Sequence, residues 1–324
     1  MTHMTHVFVI NPAAGQADRG EEIRQKLETY GDSIEYEIYR TRSSGDATRF
    51  VREWCRLHPT DPVRFYACGG DGTLNEVVNG AVGFPQASVT AYACGSGNDY
   101  VKYYGGAAPF LDLDGLIQAE ERPVDLIRVG DRYCINICHF GFDTVVAKTM
   151  IRVKRKKLIG GKRTYITGVV VALLKAMRNR CVVRVDGEPL NQRDMLLCTV
   201  SNGRYVGGLF QCAPRSINDD GLLDVCMLRP VSRLTFVLLV RLYAEGRHLE
   251  APQLQRYVVY RRGKKVEIEA EEGFAISLDG EILDGSRFSV EIVPYGIRFA
   301  VPKGAVVPNQ RKREESGKEA PIAI

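Results

Sequence analysis

The chain has 324 residues, enough for two domains, since single cores usually stop growing at about 250–300 residues. Its 45% hydrophobic and 26% charged content is that of an ordinary soluble globular protein, and its longest apolar runs, Val169–Leu174 and Phe236–Val240, exclude a spanning helix, which needs about 20 residues. A formal net charge of +5 is modest, so the placement of charge matters more than its total. Met1–Ile10 lacks the charged and long apolar regions of a signal peptide. The nine cysteines are scattered without a CxxC pair; they read as buried free thiols of a reducing cytoplasm, with Cys134 and Cys138 expected on one face of a strand.

His6–Ile10 is a β-branched run that stops at Asn11-Pro12-Ala13-Ala14-Gly15, a buried parallel strand followed by a small-residue turn. Asp18–Tyr30 carries Ile23 and Leu27 at helical spacing, Ser33–Arg40 alternates as a strand, and Thr41–Asp46 is a polar turn before a helix at Ala47–Leu57. Arg64–Ala67 predicts a third strand. It breaks on Gly69-Gly70-Asp71-Gly72-Thr73 into a helix with Leu74, Val77 and Val78 at helical spacing. Unpaired N–H groups and the helix dipole at such a break favour phosphate. Asp71 would repel phosphate unless a metal lay between them, so the stretch suggests a nucleotide–Mg²⁺ site. Ala87–Ala93 is a fourth strand, ending in the glycine turn Cys94–Asp99. Alternating strands and helices imply a doubly wound parallel sheet, with all three turns on its carboxyl edge, where such sheets bind ligands.

After about Pro123 the pattern changes. Pro123–Val129 and Arg132–Phe140 read as strands joined by Gly130-Asp131, and Thr144–Arg178 as helical. Short strands follow, among them Arg287–Ile292 and Gly296–Val301, interrupted by a helix at Val231–Ala244. The expected organisation is an N-terminal parallel α/β domain (1–123), a C-terminal antiparallel β-sandwich-like domain (124–301) whose last strands could return to the first, and a polar disordered tail (302–324).

Together, NPAAG at Asn11–Gly15, GGDGTLNEVVNG at Gly69–Gly80, GSGND at Gly95–Asp99, SINDDGLLDV at Ser216–Val225 and LDGE at Leu278–Glu281 resemble the catalytic domain of the diacylglycerol kinase family. The likeness is strongest to its soluble bacterial lipid kinases, relatives of sphingosine and ceramide kinases. The resemblance spans about residues 6–301; GGDGT alone also occurs in NAD kinases and phosphofructokinases. It implies ATP in a cleft between the domains, its phosphates cradled by Asn11, Pro12, Ala13, Ala14, Gly15 and by Gly69, Gly70, Asp71, Gly72, Thr73, with contacts from Thr41, Glu76, Ser96 and Asn98. Asp71, Asp99 and Asp125 match acids holding the catalytic Mg²⁺, partly through water. Glu281 matches the proton acceptor for the attacking alcohol, with Asp279 beside it orienting or linked to metal. Asp220, with the carbonyls of Ile217 and Leu222, matches a structural Mg²⁺ site. Bland readings stand beside these: Asp279-Gly280 and Asp219-Asp220-Gly221 as plain turns, Asp125 as a strand-end acid, His139 as structural.

Two departures bear on the site. Gln16 stands where some relatives have lysine, leaving Arg19, Arg40 or Arg42 to compensate, and Ser96 replaces threonine while keeping the hydroxyl. The basic run Arg152–Arg163 beside apolar residues suits a membrane surface, so a cytoplasmic enzyme with peripheral contact on the inner membrane face is expected. No recognition motif for nucleic acid accompanies it, and a homodimer is left open. The reading is an ATP- and Mg²⁺-dependent lipid kinase, with diacylglycerol as first acceptor; the alternatives are NAD kinase and a nucleotide- or lipid-binding regulator without turnover.

Overall fold

In a computed structural model, which describes residues 4–15, 19–155, 171–173 and 176–308, the chain divides into two compact units. One comprises Met1–Leu126 with Pro294–Ile324, the other Ile127–Val293. Gln16, the side chains of the Arg152–Arg163 run and the tail from residue 309 lie outside the described residues.

The first unit is built on parallel strands β1 (Thr5–Ile10), β2 (Glu35–Arg40), β3 (Val63–Gly69) and β4 (Ala87–Ala93), in the order β2-β1-β3-β4. β3 and β4 are buried at every position, the signature of strands covered on both faces, whereas β2 alternates as an edge. Helices α1 (Gly20–Glu28), α2 (Asp46–Leu57), α3 (Asp71–Ala81) and the short α4 (Leu113–Ile117) connect them. α2 buries Ala47, Val51, Trp54 and Cys55, and α3 buries Leu74, Val77, Val78 and Ala81, each a helical stripe. The two helices touch where α3 has Gly80: a Cβ there would lie 2.6 Å from Val51 Cβ.

Strand β5 (Glu120–Val129) begins in the first unit, and its last residues, in the second, form a hairpin with β6 (Arg132–Cys134). Next come β7 (Ile137–Gly141), α5 (Phe142–Arg155), β8 (Asn179–Val185), β9 (Glu188–Pro189), β10 (Asp194–Met195), β11 (Leu197–Ser201) and β12 (Leu223–Leu228). The remainder is α6 (Arg233–Ala244), α7 (Pro252–Gln255), β13 (Val258–Gly263), β14 (Lys265–Ala270), β15 (Ala275–Leu278), β16 (Glu281–Asp284) and β17 (Arg287–Val301). An antiparallel sheet β13-β12-β11-β7-β15-β16 faces antiparallel strands β10-β8-β14-β17. Cys138, Phe140, Cys198, Val200, Val225 and Ile276 from the first meet Val183, Val185, Val266, Ile268 and Val290 from the second in one core. A second core, with Phe142, Leu197 and Tyr243, lies under α5 and α6. The expected fold class, a parallel α/β domain followed by an antiparallel one, is the one found.

Three details differ from expectation. Arg132–Phe140 is not one strand: β6 pairs with β5, β7 pairs with β11 and β15, and the chain changes sheet at Ile135-Asn136. Cys134 and Cys138 therefore sit on different strands, although both are buried in the same core. Arg287–Val301 is one strand instead of two, because the bend at Tyr295 (φ 52°) is held by the Asp125 carboxylate, which accepts the Tyr295 N–H at 2.8 Å. From Pro294 the strand belongs to the first unit, where its end lies parallel to β4 (Phe299 opposite Val89).

Candidate active site

Three turns leave the carboxyl ends of β1, β3 and β4, and backbone hydrogen bonds carry the sheet beyond the strands. Asn11 N–H donates to the Cys68 carbonyl (3.0 Å), Thr41 N–H to Ile10 (2.9 Å) and Gly95 N–H to Gly69 (2.9 Å). The turns then interlock so tightly that side chains are excluded. A Cβ on Gly15 (φ 73°) would lie 2.3 Å from the Cys94 oxygen, one on Gly69 2.3 Å from Thr73 Oγ1, and one on Gly95 2.2 Å from Gly70 Cα. Asn11 Nδ2 donates to Thr73 Oγ1 (3.1 Å), while its Oδ1 accepts from Ala13 N–H (3.0 Å), which fixes the first turn against the second. Asn98, at φ 51°, donates to the Ala93 and Gly95 carbonyls and fixes the third.

α3 starts inside this knot. Gly70 is its N-cap in extended backbone, no side chain caps it, and Gly72 is open to solvent. A helix beginning so presents its first N–H groups and positive dipole end to an anion. Asp71 and Asp99 flank Gly97, where a Cβ would be 2.9 Å from Asp71 Oδ2 and 3.7 Å from Asp99 Oδ2. Asp71 Oδ1 accepts the Tyr100 N–H (3.1 Å), and Lys102 Nζ sits 2.6 Å from Asp99 Oδ1. Two carboxylates beside an open helix N-terminus are a donor set that suits hydrated Mg²⁺, which keeps waters and uses one or two carboxylates plus substrate phosphates. Ser96 is exposed at the third turn, and Thr41 directly follows β2, bonded to the end of β1 at Ile10.

Other expected members have different surroundings. Glu76 accepts from Ala47 N–H (3.2 Å) and Ser44 Oγ (3.4 Å), so it caps α2. Arg19 pairs with Glu22. Asp125 is wholly buried on the bend of β17.

In the second unit, Asp279-Gly280 is a two-residue hairpin turn with both φ positive (46° and 94°), the type I′ geometry that suits Asp-Gly. Both Asp279 oxygens are engaged: Oδ1 accepts Ile137 N–H (2.9 Å), and Oδ2 accepts Ile135 (2.9 Å) and Asn136 (3.2 Å). Burial pushes its carboxyl above the ordinary range and the three amides pull it back. It therefore ties its hairpin to the break between β6 and β7. Glu281, the first residue after the turn, is half-exposed and 3.5 Å from Arg132. Such exposed pairs contribute about 0–1 kcal/mol, so Glu281 is released at little cost.

Asp220 is engaged by Arg262 and by Leu222 N–H (3.2 Å), and Arg262 also pairs with buried Asp224 (3.3 Å). The guanidinium supplies positive charge beside the Asp220 carboxylate, as Lys102 does beside Asp99; the carbonyls of Ile217 and Leu222 are the further oxygens expected at this turn. Among the described residues no cluster of three or more His, Cys, Asp or Glu side chains could hold a metal.

One group escaped sequence reading. Asp143, in the first turn of α5, resembles an ordinary helix-start acid, yet its Oδ2 is buried without a hydrogen-bond partner among the described residues, and burial raises its pKa to about 7. On strand β7, His139 stands in register with Thr199 and Ser277; its Nδ1 and the Ser277 hydroxyl also find no partner among the described residues, and burial lowers the histidine to about 4. The only sequence signal was polar letters at alternate positions of otherwise apolar strands.

Comparison with known proteins adds lineage to this geometry. The family described as diacylglycerol kinase catalytic domain matches residues 5–129, and the YegS C-terminal NAD kinase beta sandwich-like domain matches residues 136–301. The diacylglycerol kinase of Bacillus subtilis (strain 168) is 28% identical over 281 residues, 85% of this chain and 88% of that protein. A protein of Serratia proteamaculans (strain 568) named "Probable lipid kinase YegS-like" is 29% identical over 91% of this chain and 93% of its own. A diacylglycerol kinase structure from Bacillus anthracis str. Sterne superposes with a TM-score of 0.66 at 18% identity, covering 94% of this chain and 98% of that one, a likeness of fold.

Proposed function

The chain belongs to the diacylglycerol kinase family of lipid kinases, and from that premise we propose that it transfers the γ-phosphate of ATP to a lipid hydroxyl, with diacylglycerol as acceptor and phosphatidic acid as product. The observation that carries the reading is the knot of three glycine turns around the start of α3, with Asp71 and Asp99 on its rim. The N–H groups of the first turn of α3 receive the phosphates, and the Asn11–Gly15 turn, whose Asn11, Ala13 and Ala14 N–H groups are bonded within the knot, walls them in, with hydroxyls of Thr41 and Ser96 available beside them. Asp71 and Asp99 would hold Mg²⁺, which when bound offsets charge on the phosphate oxygens. Lys102, paired with Asp99, provides a cation at the same rim and offsets the lysine absent at Gln16.

The acceptor hydroxyl is a weak nucleophile at neutral pH. Glu281 takes its proton as the oxygen attacks phosphorus in line and the bond to the ADP oxygen breaks. Asp279 positions it: the carboxylate anchors the hairpin through three amides, so the turn presents Glu281 rigidly. Acceptor choice has support in the Bacillus subtilis relative, which is named a diacylglycerol kinase.

The test is label transfer from γ-labelled ATP with Mg²⁺ to a panel of diacylglycerol, sphingoid base, phosphatidylglycerol and polyprenol in mixed micelles, with NAD in parallel. Labelled phosphatidic acid is the expected product. Labelled NADP with no labelled lipid overturns the proposal.

A further inference from the structure

The most conspicuous surface feature of the second unit plays no part in the chemistry above. α6 starts at the N-cap Ser232, whose hydroxyl accepts Thr235 N–H, and it buries Tyr243 while Phe236 packs on Phe142. A surface helix of this kind should be polar on its outer side. Here the outer side is apolar: Leu234, Val237 and Leu238 are 70%, 58% and 69% exposed, at the i, i+3, i+4 spacing of one helical face. The loop that reaches this helix through Phe210 (on Tyr243) and Gln211 (N–H to Ala244) exposes Leu209 to 71%. Three leucines and a valine so exposed form the type of patch that marks an interaction surface.

The charge around the patch indicates the partner. Arg233 begins the helix and is exposed; Arg241 continues the same face one turn beyond Leu238, and Arg247 follows. Arg241 and Arg247 share one carboxylate, Glu245, at 2.7 and 3.5 Å, so the cluster stays positive. An apolar helical face with a basic rim matches a bilayer interface rich in anionic headgroups: the leucines enter the acyl boundary and the arginines meet the phosphates. Another protein surface would need complementary apolar and acidic groups.

We propose that the outer face of α6, with Leu209, docks the protein on anionic lipid bilayers. The proposal rests on the lipid-kinase reading for the source of the surface, and its test separates the two. Pelleting with phosphatidylcholine–phosphatidylglycerol vesicles, without ATP, compares wild type with Leu234→Gln/Val237→Gln/Leu238→Gln, chosen because glutamine keeps helix propensity. Wild type is expected to pellet, and the triple variant to lose affinity by about tenfold or more, as buried CH₂ groups are lost. Arg241→Gln/Arg247→Gln is expected to weaken pelleting on the mixed vesicles and leave that on phosphatidylcholine alone unchanged; it gives an independent reading should the triple variant fail to fold.

Equal pelleting of wild type and a folded triple variant overturns the proposal. So does a dimer that the triple substitution dissociates without changing pelleting, which would make a second copy the occupant, or a drop in thermal stability with pelleting intact, which would mean that the chain covers the face itself. Phosphorylation of a short-chain diacylglycerol dispersed below its micelle threshold reports on the kinase reading alone. Wild type that pellets but labels no lipid refutes that reading and leaves docking supported.

Discussion

Asp143 links the stability of the folded chain to pH in a direction opposite to that of the histidines. Its carboxyl, ordinarily near 3.8, is raised to about 7 by burial. Between those values the folded state holds a proton that the unfolded state releases, so stability falls as pH rises through the window and is flat above it. His6, His139 and His248, lowered by burial from 6.5 to about 4, act the other way: between pH 4 and 6.5 the unfolded state takes up protons that the folded state refuses, and stability rises with pH. Asp143→Asn removes only the falling component. Denaturant unfolding at pH 5 and pH 8 is expected to show the variant improved relative to wild type more at pH 8 than at pH 5. The glycines of the phosphate knot give a second contrast. Gly95→Ala forces a methyl to 2.2 Å from Gly70 Cα and is expected to cost about 1–3 kcal/mol or more, with loss of ATP-induced thermal stabilisation. Gly72→Ala meets nothing within 4 Å and is expected to leave the melting temperature near that of wild type. At this scale the sequence was most legible where chemistry demands a particular residue: glycine without room for Cβ, and Asp71 at a turn tip. Asp143 was illegible because an acid in a first helical turn is common on surfaces, and only the tertiary cover over α5 buries it.

Elements were read well where periodicity was long and poorly where one side chain sets a boundary. β1, β3, β4, α2 and α3 carry their burial in their spacing, and each lies within a few residues of its expected place. The division between β6 and β7 leaves no such trace: Ile135, Asn136 and Ile137 look strand-like, and the break comes from a carboxylate more than 140 positions later in the chain. The continuity of β17 leaves no local trace either, because its bend at Tyr295 is held by Asp125, 170 positions earlier in the chain. These contacts make a prediction for the hairpin. Asp279→Ala leaves three amides without their acceptor and is expected to destabilise by at least about 1–3 kcal/mol in denaturant unfolding, with Asp279→Asn, which keeps one acceptor oxygen, falling between it and wild type. Glu281 activity should decline in the same order, because the turn that presents it loosens.

For the whole molecule, the five motifs named the family and both fold classes because they are short, ordered and chemically constrained. What they left out is shape: the buried polar groups at Asp143, His139 and Ser277 and the exposed leucines of α6 depend on which faces the tertiary structure covers. The proposed chemistry turns on Glu281 as the group that takes the proton of the acceptor hydroxyl. Steady-state kinetics of Glu281→Gln on diacylglycerol in mixed micelles test it most directly. A kcat lower by about 10²–10⁴-fold is expected, with KM for ATP and the melting temperature close to wild type. Glu281→Gln that labels lipid at the wild-type rate would contradict it.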